Sequence, residues 1–290
     1  ADLGIQNMTL AEAKAAGART LVIVVANRGG IISDAWKSVL KDALAMGYDL
    51  ASGLHNLLRD EQDLVDAAVA NGRKLHDVRV ADVQYPIANG KRRSGKRCLT
   101  VGTDCSVGKM YTALAIEKAF KERRFAVDFH ATGQTGILID GSGVPIDAVT
   151  ADFMSGAIEQ LCPANDSDHW DIIEGQGSLF HPSFAGVSLG LLHGAQASDL
   201  ILCHEPTRTH MRGLPNMPLP LIKDCIDANL RAARLVNPNV RIAGIAINSV
   251  ALNEKETSRI TEELTQEFNL LTFDPIKHGV DALLEILLQD

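Results

Sequence analysis

Residues 99–110 read Leu99-Thr100-Val101-Gly102-Thr103-Asp104-Cys105-Ser106-Val107-Gly108-Lys109-Met110. An apolar run of strand type enters a glycine, a second glycine and a lysine follow, and Tyr111 to Glu122 is rich in helix formers. A strand-to-helix loop of this kind wraps consecutive backbone N–H groups round an anionic oxygen, and the helix adds the positive end of its dipole. The lysine supplies a point charge for a second phosphate oxygen. Gly102, Thr103, Asp104, Cys105, Ser106, Val107, Gly108, Lys109 and Met110 are therefore the expected phosphate site. The plainer alternative is a glycine-rich turn that holds nothing.

The spacing refines this expectation. The common phosphate loop has four residues between its glycines and a Ser or Thr after the lysine. Here five residues separate Gly102 from Gly108, and Met110 follows Lys109. A thioether does not ligate Mg²⁺ as a hydroxyl does, and Thr112, two residues on, points elsewhere on the helix. Phosphate binding is expected, and tight Mg-ATP hydrolysis is not.

With 290 residues, 46% apolar and 22% charged, the chain can bury one large core and a smaller one. A net charge of −8 argues against a general nucleic-acid binder. Cys98, Cys105, Cys162, Cys203 and Cys225 form no Cys-x-x-Cys pair, which fits a reducing compartment and no zinc site. Cys105 precedes a helix, a placement that lowers a thiol pKa, although an ordinary small loop residue is the simpler reading. No apolar run is long enough to span a bilayer and no signal peptide is visible, so a cytoplasmic protein is expected. The chain begins at Ala1 rather than Met, and an opening strand could precede it.

Outward from the loop, the pattern alternates strand and helix. Thr20–Ala26 reads as a buried strand, and Asn27-Arg28-Gly29-Gly30 as the turn after it. Ser33 or Asp34 caps a helix running to about Met46, the Asp49–Asn56 stretch is short and glycine-containing, 60–70 is helical, and 77–83 is strand-like. Residues 1–85 are read as a small α/β domain, 86–96 as a basic, solvated linker, and 97–290 as the phosphate-loop domain. In the last, strands are expected at 125–129, 199–203, 241–248 and 270–273, and helices at 152–161, 186–196, 221–236, 254–268 and 280–288.

Candidate chemistry gathers at the strand ends. His169-Trp170-Asp171-Ile172-Ile173-Glu174-Gly175-Gln176-Gly177-Ser178 ends a strand in an acid followed by glycines. Glu174, with Asp171 as alternative, is the acid expected beside the phosphates. The loop His204–Gly213 carries His204, His210, Arg208 and Arg212, a plausible anion clamp in which His210 moves a proton. Arg28 sits where α/β proteins place ligands. Asn248 either reads an adenine edge or caps its strand.

GTDCSVGK, WDIIEGQGS and AGIAIN resemble the loop, the strand-end Glu-Gly-x-Gly and the base-reading Asn of dethiobiotin synthetase. FHATGQTGILIDGSGVPIDAV, IEGQGSL-HP and CHEPTRTHMRG more strongly resemble the DgcN-type D-glutamate N-acetyltransferase family, over essentially the whole chain. The resemblance implies an α/β fold: a mostly parallel sheet of P-loop NTPase type flanked by helices, with a smaller N-terminal Rossmann-like domain. It also implies acetyl-CoA as donor, D-glutamate as acceptor and N-acetyl-D-glutamate as product, passed to a racemase, with no metal required. A homo-oligomer is left open, and no nucleic-acid or membrane partner is expected. On this reading residues 102–110 and Asn248 hold coenzyme A. Arg208, Arg212 and Arg28 hold the two carboxylates, and Glu174, His181 or His210 is the base. An ATP-dependent ligase of the dethiobiotin synthetase type and a nucleotide-binding protein without turnover are the alternatives.

Overall fold

The chain builds two parallel sheets, and the inner strands of the second are apolar runs buried on both faces. The computed structural model describes residues 4–25, 30–81 and 83–289. The chain divides into two compact units, Ala1–Val80 and Ala81–Asp290.

The first unit runs α1 (Leu10–Ala15), β1 (Thr20–Ile23), α2 (Asp34–Ala45), β2 (Asp49–Ser52), α3 (Gln62–Asn71) and β3 (Leu75–Asp77). Its strands form a parallel three-stranded sheet in the order β1-β2-β3. The Ser33 hydroxyl accepts the Trp36 N–H to start α2, and Gly72, at φ 61°, ends α3 in the left-handed conformation. Leu40, Leu44, Leu50, Leu58 and Leu64 form the core.

Three local expectations are corrected. The short stretch at Asp49 supplies the central strand. The strand expected at 77–83 lies instead at 75–77, and ends where the Asp77 carboxylate accepts the N–H groups of Leu58 (2.7 Å) and Arg59 (3.1 Å). The first strand stops at Ile23 rather than Ala26, and it is not buried: its residues alternate between exposed and half-buried, with Val22 40% exposed, because it is an edge strand. Ala26, Asn27, Arg28 and Gly29 lie outside the described residues, and with them the Arg28 candidate.

The second unit contains β4 (Lys96–Gly102), α4 (Lys109–Glu122), β5 (Val127–His130), α5 (Gln134–Asp140), α6 (Met154–Leu161), β6 (Trp170–Ile173) and α7 (Ala185–Ala195). It continues with β7 (Asp199–His204), α8 (Ile222–Ala233), β8 (Arg241–Ile247), α9 (Glu254–Phe268), β9 (Thr272–Phe273) and α10 (Asp281–Leu288). The sheet order is β5-β6-β4-β7-β8-β9, with every pairing parallel. Alternate side chains of β4 serve opposite faces. Cys98 joins Ile116, Phe120, Leu283 and Leu284 on one, while Leu99 and Val101 join Ile158, Leu191 and Leu192 on the other.

Residues 86–96 are largely exposed, but the run is tied to the second unit by hydrogen bonds. The Glu159 carboxylate accepts the N–H groups of Asn89 (2.8 Å) and Gly90 (3.0 Å). Arg93 donates to the carbonyls of Glu159 (2.9 Å), Cys162 (2.5 Å), Gly194 and Ala195 (3.1 Å). One guanidinium thus satisfies orphan carbonyls at the C-termini of both α6 and α7. Gly156 permits the approach, since a Cβ there would lie 1.8 Å from the Pro86 carbonyl oxygen.

Candidate active site

β4 lies between β6 and β7, and the chain builds the sheet outward to either side of it. Ligands of open α/β sheets bind outside the carboxyl ends of the strands at such a switch point. The loop from Gly102 to Gly108 emerges there. Ser106 (φ 53°) and Gly108 (φ 108°) adopt left-handed conformations that curl the backbone. Among the described residues, no acceptor is engaged by the N–H groups of Asp104, Ser106, Val107 and Gly108, and no side chain caps α4. These donors and the helix N-terminus form an anion nest.

Lys109 lies inside the loop, 6% exposed, and its Nζ donates to the Asp104 carbonyl oxygen at 2.8 Å. Burial pulls its pKa down, against the opposing pull of Cys203, Cys105 and Asp104. Its stem passes Gly175, where a Cβ would lie 3.1 Å from Lys109 Cδ and 1.6 Å from the Thr100 carbonyl oxygen. Thr112 donates its hydroxyl back to the Gly108 carbonyl oxygen (3.0 Å), away from the nest. Met110 is half-buried at the start of α4. Burial pushes the Cys105 thiol up, more than Lys109 and the nearby arginines draw it down. Burial thus outweighs the lowering that its helix position suggested, in keeping with the simpler reading of an ordinary loop residue.

Glu174 follows β6 and is 3% exposed. Its Oε2 accepts the N–H groups of Thr132 (2.9 Å) and Gly133 (3.0 Å). Burial raises its pKa, against the lowering effect of those bonds, of Gln176 and of Lys109. Asp171 is not at the loop. It lies near the start of β6, where Oδ1 pairs with His130 Nε2 at 2.9 Å and Oδ2 is 3.9 Å from Arg97.

The His204–Gly213 segment meets the loop through Asp104, which is wholly buried. Arg208 donates Nη1 to Asp104 Oδ2 (2.8 Å) and to the Cys105 carbonyl (2.6 Å), and Nη2 to the Ser106 carbonyl (3.2 Å) and to Glu205. Arg208 thus straps the loop, and its guanidinium is engaged by the protein rather than open to a substrate carboxylate. The guanidinium of Arg212, on an exposed side chain, has no partner among the described residues. Its backbone is held instead: its N–H donates to Asp104 Oδ2 (2.7 Å) and its carbonyl oxygen lies 3.1 Å from His181 Nε2.

His181 is 3% exposed and accepts the Ser183 N–H at Nδ1 (3.2 Å), so Nε2 carries the proton toward Arg212. Asp104, Cys105 and His181 bring one donor atom each within 4.8 Å of one another. The Asp104 and His181 donors already serve N–H, guanidinium and carbonyl partners. His210 is exposed, with Nδ1 3.2 Å from the Thr209 hydroxyl. The Asn248 Cβ lies 3.8 Å from where a Gly108 Cβ would stand, and its Oδ1 accepts the Val250 N–H (3.3 Å) just past the strand end.

His204, expected in the anion clamp, turns to the phosphate loop instead, with its Nδ1 3.1 Å from the Thr103 hydroxyl. Burial lowers its pKa to about 4, so it is neutral beside the loop. Thr132 and Gly133 were passed over by sequence reasoning, because their role depends on Glu174, over forty residues away.

Comparison with known proteins gives consistent matches. Residues 86–284 match the model described as the DUF1611 C-terminal P-loop domain of unknown function, and residues 2–81 match its N-terminal Rossmann-like domain. A protein of Tritonibacter scottomollicae named D-glutamate N-acetyltransferase is 59% identical, covering 99% of this chain and 86% of its own length. One of the same name from a Pseudoalteromonas species is 48% identical, covering 97% of this chain and 84% of its own. The crystal structure of a DUF1611 family protein from Anabaena variabilis superposes with a TM-score of 0.90 at 34% identity, covering 97% of this chain and 83% of that one. No helix among the described residues is long and apolar enough to cross a membrane.

Proposed function

The chain belongs to the DUF1611 family, and from that membership we propose that it is a D-glutamate N-acetyltransferase. It moves an acetyl group from an acyl donor to the amino group of D-glutamate. The observation that carries the reading is near-full-length identity of 59% and 48% to two proteins of that name. The finer assignments are our reading of the site. Acetyl-CoA is the donor: its phosphates suit the open N–H groups and buried Lys109, Asn248 is assigned to the base edge, and no step calls for a metal. A cytoplasmic enzyme that hands its product to a racemase, alone or as a homo-oligomer, completes the proposal.

Arg212 takes a carboxylate of the acceptor. The attacking nitrogen must lose a proton, and the tetrahedral oxyanion needs a donor. Glu174 is the base. Its Oε2 is fixed by two backbone N–H groups, and burial raises its affinity for a proton. His181 is less suited, because both ring nitrogens are engaged. Coenzyme A carries its thioester at the end of a long arm, so this arm must fold back over the Gly175–Ser178 segment to reach Glu174. With the arm extended, His210 would take that role.

The test is to mix the protein with acetyl-CoA and D-glutamate and follow free thiol. Thiol release dependent on D-glutamate is expected. ADP from ATP without thiol would replace this reading by the ligase reading, and tight nucleotide binding without either product would make the chain a binding protein.

A further inference from the structure

We infer that Asp104 is the positioning residue that couples the anion nest to the placement of Arg212. The inference rests on the functional reading above and assigns Asp104 a part in holding both substrates. Its carboxylate is 0% exposed and binds donors from two distant segments. On the loop side, Oδ1 accepts the Cys105 N–H at 2.6 Å. On the other side, Oδ2 accepts Arg208 Nη1 at 2.8 Å and the Arg212 N–H at 2.7 Å, across 108 residues of sequence in the latter case. Bonds between a buried carboxylate and such donors are charge-assisted and strong.

The consequence is geometric. The Arg212 peptide is gripped from both sides, by Asp104 at its N–H and by His181 at its carbonyl. Next to it Met211 is fully buried, and its N–H donates to the Met217 carbonyl at 2.8 Å. The backbone of Arg212 is fixed while its guanidinium remains free for a carboxylate. The same aspartate orients the peptide at Cys105, so any anion seated in the nest and any carboxylate on Arg212 share one anchor. Asp104 itself touches neither substrate.

The experiment compares steady-state constants and melting temperatures for the wild type, Asp104→Asn, Arg212→Gln and the double variant. D104N is expected to raise the KM of both acetyl-CoA and D-glutamate by roughly ten- to a hundredfold, the range for losing a buried charged hydrogen bond. R212Q is expected to raise only that of D-glutamate. Because Asp104 acts through Arg212, D104N should change the D-glutamate KM less than about twofold in the R212Q background. An equal factor in both backgrounds, or an unchanged D-glutamate KM in D104N, overturns the coupling. Should D104N unfold, His181→Phe, which removes the second hold on Arg212, carries the same cycle with the same two outcomes. If the wild type does not acetylate D-glutamate, the functional reading falls separately. The coupling is then read by calorimetry, with D104N expected to bind coenzyme A at least tenfold more weakly than R212Q does; equal affinity refutes it.

Discussion

Lys109 and Glu174 are the residues on which the proposed chemistry turns. Lys109 is buried with its ammonium on a loop carbonyl. In Lys109→Ala the KM of acetyl-CoA should rise about tenfold or more, with kcat less affected, since a charged contact to phosphate is lost. Unchanged affinity for acetyl-CoA would remove the nucleotide from this loop. Glu174→Gln keeps the shape and loses the proton acceptor, so kcat should fall by roughly a hundredfold or more with the acetyl-CoA KM nearly constant. If His210→Gln loses that rate instead, the thioester arm lies extended across the 204–213 segment. Both residues were legible: a lysine after a glycine-bounded loop and an acid at a strand end are local signals. The engagement of Arg208 was not, since its partner Asp104 lies 104 residues earlier.

At the scale of elements, helix ends explain most of the local order. α9 runs from Glu254 to Phe268, as its sequence predicts, because Asn253 and Glu256 form a reciprocal capping box. Asn253→Ala should therefore cost about 1 kcal/mol of stability by denaturant titration. Arg93 caps two helices at once. Arg93→Ala should cost about 3 kcal/mol, by the same measurement, because several buried carbonyls lose a charged donor together. In sequence this arginine belongs to a polar, basic, glycine-punctuated run that reads as a linker. Its carbonyl partners carry no sequence signature, so the tethering of the run through Arg93 could not be read. The helix α5 was equally hidden: Gly133 and Gly136 suggest a loop, whereas a Cβ at Gly136 would lie 2.2 Å from Glu174 Oε2.

For the whole molecule, stability has a built-in dependence on pH. Burial alone would lower the pKa of His130, but hydrogen bonds to Asp171 and Cys162 and the charge of Asp171 reverse this, from 6.5 up to about 10. A raised folded-state value means that the protonated imidazole stabilises the native state fully below about 6.5, and that this contribution is lost as pH rises toward 10. Urea unfolding should show stability declining across that window, and His130→Gln should flatten the decline. By itself the sequence determined the α/β class, the phosphate loop and the strand-end acid, because apolar periodicity and glycine spacing act over a few neighbouring residues. The tertiary structure alone decided that Arg208 straps the loop, that Arg212 stays free, and that Asp171 pairs with His130 rather than facing a ligand. A buried charge takes whichever donor the fold brings within hydrogen-bonding distance, and strand order, not sequence separation, sets that distance.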